Sequence, residues 1–312
     1  MTAVTPSGVT PAGTATGRAA TLMRAASMAS VAAAFAMIGI KFYAYLETGS
    51  VSLLSTLFDS LLDIGASLVN LLAVRHALTP ADAEHRFGHG KAEPLAGLVQ
   101  VAFILGSCIL LLVEVWDHFI HPKPVSNAGL GVGVMVLSII VTGALIAFQR
   151  YVVRQTGSVA IKADAAHYGS DFLVNISVIA ALLLSTHFGW WWIDPAFGLL
   201  VAGFIAVTAV SIGRDSLDML MDREMNDAER DRIKEIVRNH PEVLSLHDLR
   251  TRVAGQAKFI QFHLELDSEV SLKEAHRISD AVELDLMRAF PDAEVIIHQD
   301  PYGVAEPRAR FT

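Results

Sequence analysis

Cysteine is nearly missing from this chain. Cys108 is the only one, so no intramolecular disulfide can form and a disulfide-stapled secreted domain is excluded. Basic residues are not in excess either. Lys and Arg number 24 against 32 Asp and Glu, a net charge of −8, which excludes a basic nucleic-acid binder. Charge of either sign is scarce over most of the length. Residues 1–221 hold 24 of the 56 charged side chains, and residues 222–312 hold the other 32. One soluble globule does not partition charge this way. Two motifs are also absent. The chain has no H-E-x-x-H and no G-x-x-x-x-G-K-[ST], so it offers neither a zinc-protease base nor an evident ATP site.

Long apolar segments are what the first part does have. Residues 1–18, MTAVTPSGVTPAGTATGR, read as a disordered tail and not as a signal peptide. Six apolar stretches follow, at about 24–46, 50–76, 95–118, 128–151, 165–187 and 191–214. Each has the roughly 20 residues that cross about 30 Å of hydrocarbon as a helix. An even number of spans puts both termini on one side. The connections on that side carry Arg18, Arg24, Arg75, Arg86, Lys91, Arg150, Arg154, Lys162, Arg214 and Arg223, whereas the other side carries Lys123 and little else basic. The positive-inside bias places the termini in the cytoplasm. The expected fold is therefore an α-helical membrane protein, with six transmembrane helices over 19–221 and a soluble domain over 222–304, followed by a short tail at 305–312.

The last part reads as a small α+β unit. Asn226, with Glu229 three residues on, opens a helix in the manner of a capping box. A strand follows near 243–253. Ile260, Phe262, Leu264 and Leu266 then alternate with Gln261, His263, Glu265 and Asp267, the period of a half-buried strand. A helix over about 271–290 and a strand at 294–298 complete the order αββαβ.

Polar residues inside the apolar stretches are costly and mark function or interhelical contacts. Asp59 and Asp63 lie in one stretch, His167 and Asp171 in another, each pair spaced i, i+4 and so on one helix face. Hydrogen-bond clamps between helices are one reading. The other is a site of three carboxylates and one imidazole, a donor set that suits a tetrahedral divalent ion such as Zn²⁺. Crowded carboxylates cannot all stay ionised without a cation, so metal and protons would exclude one another from such a site. Asp164, one turn before His167, reads first as a structural polar residue, with guidance of cations inward as the alternative. After the second stretch, Asp82, His85 and His89 offer a carboxylate and two imidazoles, equally readable as a solvated loop or a metal site. The soluble part holds His240, His247, His263, His276 and His298 together with Asp300.

The segments DSLLDIGASLVNLLAVR, PADAEHRFGHGKAEPLAGL, ADAAHYGSDFLVN, HDLRTR and VIIHQDP together resemble the cation diffusion facilitator family, most of all its bacterial zinc/ferrous-iron efflux branch. The resemblance spans about residues 20–302. It implies a homodimeric, proton-coupled exporter of divalent transition metal, Zn²⁺ first and Cd²⁺ or Fe²⁺ also, in the bacterial inner membrane. It implies a metallochaperone-like cytoplasmic domain. It assigns Asp59, Asp63, His167 and Asp171 to the transport site, and Asp82, His85 and His89 to a second metal site in the loop. It assigns His247, His263, His276, His298 and Asp300 to a cytoplasmic binuclear site, with Gln299 reaching in from the partner subunit. Lys91 resembles a lysine that pairs with an aspartate just after the last span, here Asp222, across the dimer. Zn²⁺ is then both cargo and structural ion, and no organic cofactor is implied. The partners are a second copy, the lipid bilayer, divalent metal and protons, and not nucleic acid. The alternative function is a membrane-anchored metal sensor that signals through its soluble domain.

Overall fold

The computed structural model describes residues 17–48, 51–120, 129–188 and 192–304, with some side chains near helix ends left out. Most of each tail, Lys123 and the Asp59 side chain lie outside the described residues. Six long helices come first: α1 Gly17–Thr48, α2 Val51–Ala77, α3 Ala92–Ile120, α4 Gly129–Thr156, α5 Val159–Phe188 and α6 Ile193–Leu220. Gly17 and Arg18, read from sequence as part of the tail, already belong to α1. Among the described residues, four stretches are long and apolar enough to cross a membrane: Gly17–Glu47, Ala92–Ile120, Gly133–Thr156 and Pro195–Leu220. The other two long helices, α2 and α5, carry Asp63, Asp164, His167 and Asp171.

The helical unit, Gly17–Thr79 with Lys91–Leu220, is apolar outside and buries polar side chains among its apolar clusters. Leu72, Ile109, Trp116, Leu200 and Val207 are exposed, while Ser30, Ser67, Asn70, Gln100 and Gln149 are fully buried. Water-soluble bundles show the reverse, so this exterior is built for hydrocarbon. Glycine sets the closest packing. A Cβ at Gly97 would strike the Ser216 hydroxyl, and one at Gly198 would strike Val115, so α3 and α6 approach through small residues.

The second unit comprises Pro80–Gly90 and Met221–Thr312, with residues 1–16 outside the described part. Its elements are α7 Asp227–Arg238, β1 Ser245–Ala254, β2 Ala257–Leu266, α8 Leu272–Ala289 and β3 Ala293–Pro301. Asn226 caps α7 by accepting from the Glu229 amide, and its own side-chain amide donates to Glu229 at 2.6 Å. Ser271 caps α8 in the same way. The sheet order is β1-β2-β3, antiparallel then parallel. Ile260, Phe262, Leu264 and Leu266 of β2 form its core with Ile233 and Val237 of α7 and Ile278, Val282 and Leu286 of α8. Burial of about ten such side chains at roughly 1.5–3 kcal/mol each is what holds this unit together.

Candidate functional site

Among the described residues, three groups of side chains could each hold a metal ion. In each group the ligand atoms lie within 4.8 Å of one another. The first joins two helices of the bundle. Asp63 of α2 faces His167 of α5, with His167 Nε2 3.2 Å from Asp63 Oδ1. Asp171, one turn beyond His167 on the same face, completes the group. His167 is buried and Asp63 half-buried. Asp59 lies one turn before Asp63 on α2. Oxygen and nitrogen donors, with no thiolate, suit a divalent ion of intermediate hardness.

The second group lies in the loop between α2 and α3. Asp82 Oδ1 accepts from the backbone N–H groups of Glu84 at 2.9 Å and His85 at 2.6 Å. The His85 amide is the main reason the Asp82 carboxyl is held below its ordinary value. His85 Nδ1 and His89 Nε2 each lie 3.4 Å from an Asp82 oxygen. Within the second unit this loop packs against β1 and β2. The Phe87 ring stands edge-on to Phe259 at 5.8 Å, and the Arg252 guanidinium lies 4.1 Å from the Phe259 centroid and 5.2 Å from that of Phe87. Gly90 meets the Ala254 carbonyl so closely that no Cβ fits.

Sheet register builds the third group. His247 pairs with His263 across β1 and β2, and His263 pairs with His298 across β2 and β3. Three imidazoles therefore stand in one row. Asp300 oxygens lie 3.2 Å from His247 Nε2, 2.8 Å from His263 Nδ1 and 3.2 Å from His298 Nε2; the group whose ligand atoms all fall within 4.8 Å is His247, His263 and Asp300, without His298. Neither His247 nitrogen makes a well-aligned hydrogen bond, although both lie beside carboxylate oxygens.

The remaining sequence candidates fall elsewhere. His276 lies on α8, exposed, with Nδ1 3.4 Å from Asp280, and is not one of the grouped ligands. Gln299 turns to its own chain and donates to Ser279 Oγ at 2.8 Å. Lys91 Nζ donates to the Leu220 carbonyl at the end of α6 at 3.4 Å. Asp222 has a left-handed φ of 56° and pairs with Arg252 at 3.3 Å. Two carboxylates beside the histidine row were not singled out as ligands from sequence. Glu265 lies 2.7 Å from His247 Nδ1, and Asp248 lies 3.9 Å from His263 Nε2. Glu265 was findable, because it follows His263 by two positions on an alternating strand. Asp248 was not, because it sits at a bulge with φ 49°.

An apolar-sided bundle with an acid–imidazole group at its centre defines a multi-pass membrane protein that handles metal cations. Comparison with known proteins gives the family. Residues 27–221 match the cation efflux transmembrane domain, and residues 225–302 match the cytoplasmic domain of cation efflux proteins. The chain is 50% identical to the cation-efflux pump FieF of Shewanella oneidensis over 282 residues, 90% of this chain and 95% of that one. It is 46% identical to the FieF pump of Salmonella choleraesuis over 289 residues, 93% of this chain and 96% of that one. Among solved structures, the Zn form of CzrB is 36% identical, covering 28% of this chain and 99% of that chain with a TM-score of 0.25. The chain belongs to the cation efflux family. It is a metal transporter and not an enzyme.

Proposed function

We propose that this protein exports divalent transition metal from the bacterial cytoplasm in exchange for protons, with Zn²⁺ as the main cargo and Cd²⁺ or Fe²⁺ as further ones. The observation that carries this reading is the approach of Asp63, His167 and Asp171 within a 4.8 Å group inside the bundle. Asp59, one turn from Asp63, is the fourth ligand. All six long helices cross the inner membrane, and both termini face the cytoplasm, in keeping with the basic residues of the inner connections. Cytoplasmic metal enters the open site and displaces protons from its carboxylates. The helices then rock to face outward, and protons from outside take back the same oxygens and nitrogen and release the metal. Exclusive occupancy of one ligand set is what couples the two fluxes.

Two further ligand sets serve assembly. Asp82, His85 and His89 would hold an ion in the loop. His247, His263, His298 and Asp300 would hold one or two in the cytoplasmic domain, with His276 and the partner's Gln299 as outer candidates. Metal there favours association of two copies, because binding energy adds to dimer stability. Lys91 and Asp222 interlock the two copies at the domain junction. Uptake of radioactive zinc into proteoliposomes under an imposed pH gradient tests the main reading. Uptake that follows the gradient and vanishes in Asp63→Ala supports it. Uptake indifferent to the gradient removes the antiport. A sensor would instead keep its output in Asp63→Ala with no flux in either protein.

A further inference from the structure

One buried acid has no part in the ligand groups above. Asp164 of α5 is fully buried. Five helices converge on it. Ser30 Oγ of α1 donates to its Oδ2, as does Gln149 Nε2 of α4 at 2.7 Å. Gln100 Nε2 of α3 faces Oδ1 at 3.5 Å and also donates to the Ala66 carbonyl of α2 at 3.0 Å. Asn70 of α2 lies beside the same carboxylate. No Lys or Arg pairs with Asp164 among the described residues, and its electrostatic partner is His167.

The amide orientations are informative. Gln100 Oε1 and Gln149 Oε1 are buried and accept no hydrogen bond among the described residues. Unmatched buried acceptors are costly, yet both amides still turn their N–H groups to Asp164. Gln149 Nε2 and Ser30 Oγ both donate to Oδ2, so the pocket presents donors from two helices to a carboxylate acceptor. A clamp serving packing alone is more cheaply made of apolar side chains. Register links this pocket to the transport site. Asp164 and Asp171 are seven residues apart on α5, and Asp63 and Asn70 are seven apart on α2, so each pair shares one helix face. The seam thus carries two polar layers, the ligands and the Asp164 pocket, with Asp164 one turn from His167 and two from Asp171. Tyr168 ties them, with its hydroxyl 2.7 Å from Ser67 Oγ and donating to the Ser30 carbonyl at 3.1 Å.

We propose that Asp164 is a positioning residue for the transported divalent cation. Its anchored charge, one turn from His167, draws the cation onto Asp63, His167 and Asp171 without ligating it. This rests on the transport-site reading above. The test is zinc transport and zinc-induced stabilisation of the full chain, in wild type, Asp63→Ala, Asp164→Asn and Ser30→Ala. Asp164→Asn is expected to raise the KM for zinc roughly ten-fold, the scale of one partly screened charge nearby, with kcat within two-fold of wild type, and to shrink the zinc-induced rise in Tm. Ser30→Ala removes one donor and keeps the charge, so its KM should rise about two- to three-fold. If Asp164→Asn does not fold, the Ser30→Ala result decides. An unchanged KM, or a loss confined to kcat, overturns the proposal while wild type still transports and Asp63→Ala does not. Absence of transport in wild type overturns the antiporter reading instead.

Discussion

His167 Nε2 lies 3.2 Å from Asp63 Oδ1, although the two residues come from helices α5 and α2. Without metal, this contact joins the two halves of the ligand group directly. A cation that inserts between them exchanges one hydrogen bond for several coordination bonds. Asp63→Ala is therefore expected to lower zinc occupancy of the bundle and zinc flux by about 100-fold or more, at least the cost of losing a ligand's outer partner. Metal analysis of the purified wild type and variant checks it. Equal occupancy in both would refute the assignment.

The loop carries its own acid dependence. The Asp82 carboxyl is held below its usual value chiefly by the His85 backbone N–H. A depressed carboxylate contributes order above its unfolded value, and that order is lost as pH falls through the folded one. The turn at 82–85 is thus expected to persist from neutral pH down through the ordinary carboxylate range near 3.8 and to open only below it. Amide hydrogen exchange at His85, corrected for intrinsic rate, should stay slow over that range. Asp82→Asn should exchange faster at every pH.

Asp300 stands among three imidazoles, so a metal held by the row is expected to depend on it. With zinc at 100 times its Kd, binding adds about 2.7 kcal/mol to stability. Asp300→Ala should lose most of that gain while His276→Ala, whose side chain lies by Asp280, should keep it. Thermal unfolding of the full chain with zinc and with chelator measures both. Equal losses would place His276 in the metal site after all.

Helix packing gives a prediction independent of metal. A Cβ at Gly97 runs into the Ser216 hydroxyl, whereas one at Gly106 on the same helix meets nothing within 4 Å, and Gly97→Ala and Gly106→Ala compare the two. The first should cost about 1–3 kcal/mol through overpacking. The second should be within about 0.5 kcal/mol of wild type. Thermal inactivation in detergent separates them.

Much of this was legible in the sequence because helix and strand periods fix which side chains share a face. That His167 and Asp171 share a face needed only the spacing of four. The alternation around His263 placed the histidine on the open face of β2. Helix ends were less legible. Hydropathy marks a length of hydrocarbon, while α5 begins at Val159, well before the apolar stretch, and carries Lys162 into an ion pair with Asp215. The docking of Phe87 on Phe259 and Arg252 was out of reach, since no local pattern signals a contact between residues so distant in the chain. The same holds for the Asp164 pocket, whose glutamines come from two other helices. A Gln inside an apolar stretch was the available sign. The histidine row needed β3 in parallel register beside β2, which strand prediction alone does not supply.

That parallel pairing has a consequence for the newborn chain. β3 reaches its place only after the chain has crossed over through α8. A ribosome that has released β1 and β2 presents two histidines and no Asp300. The histidine row therefore exists only once that crossover has laid β3 beside β2, so its assembly waits on a non-local strand pairing that β1 and β2 cannot supply by themselves.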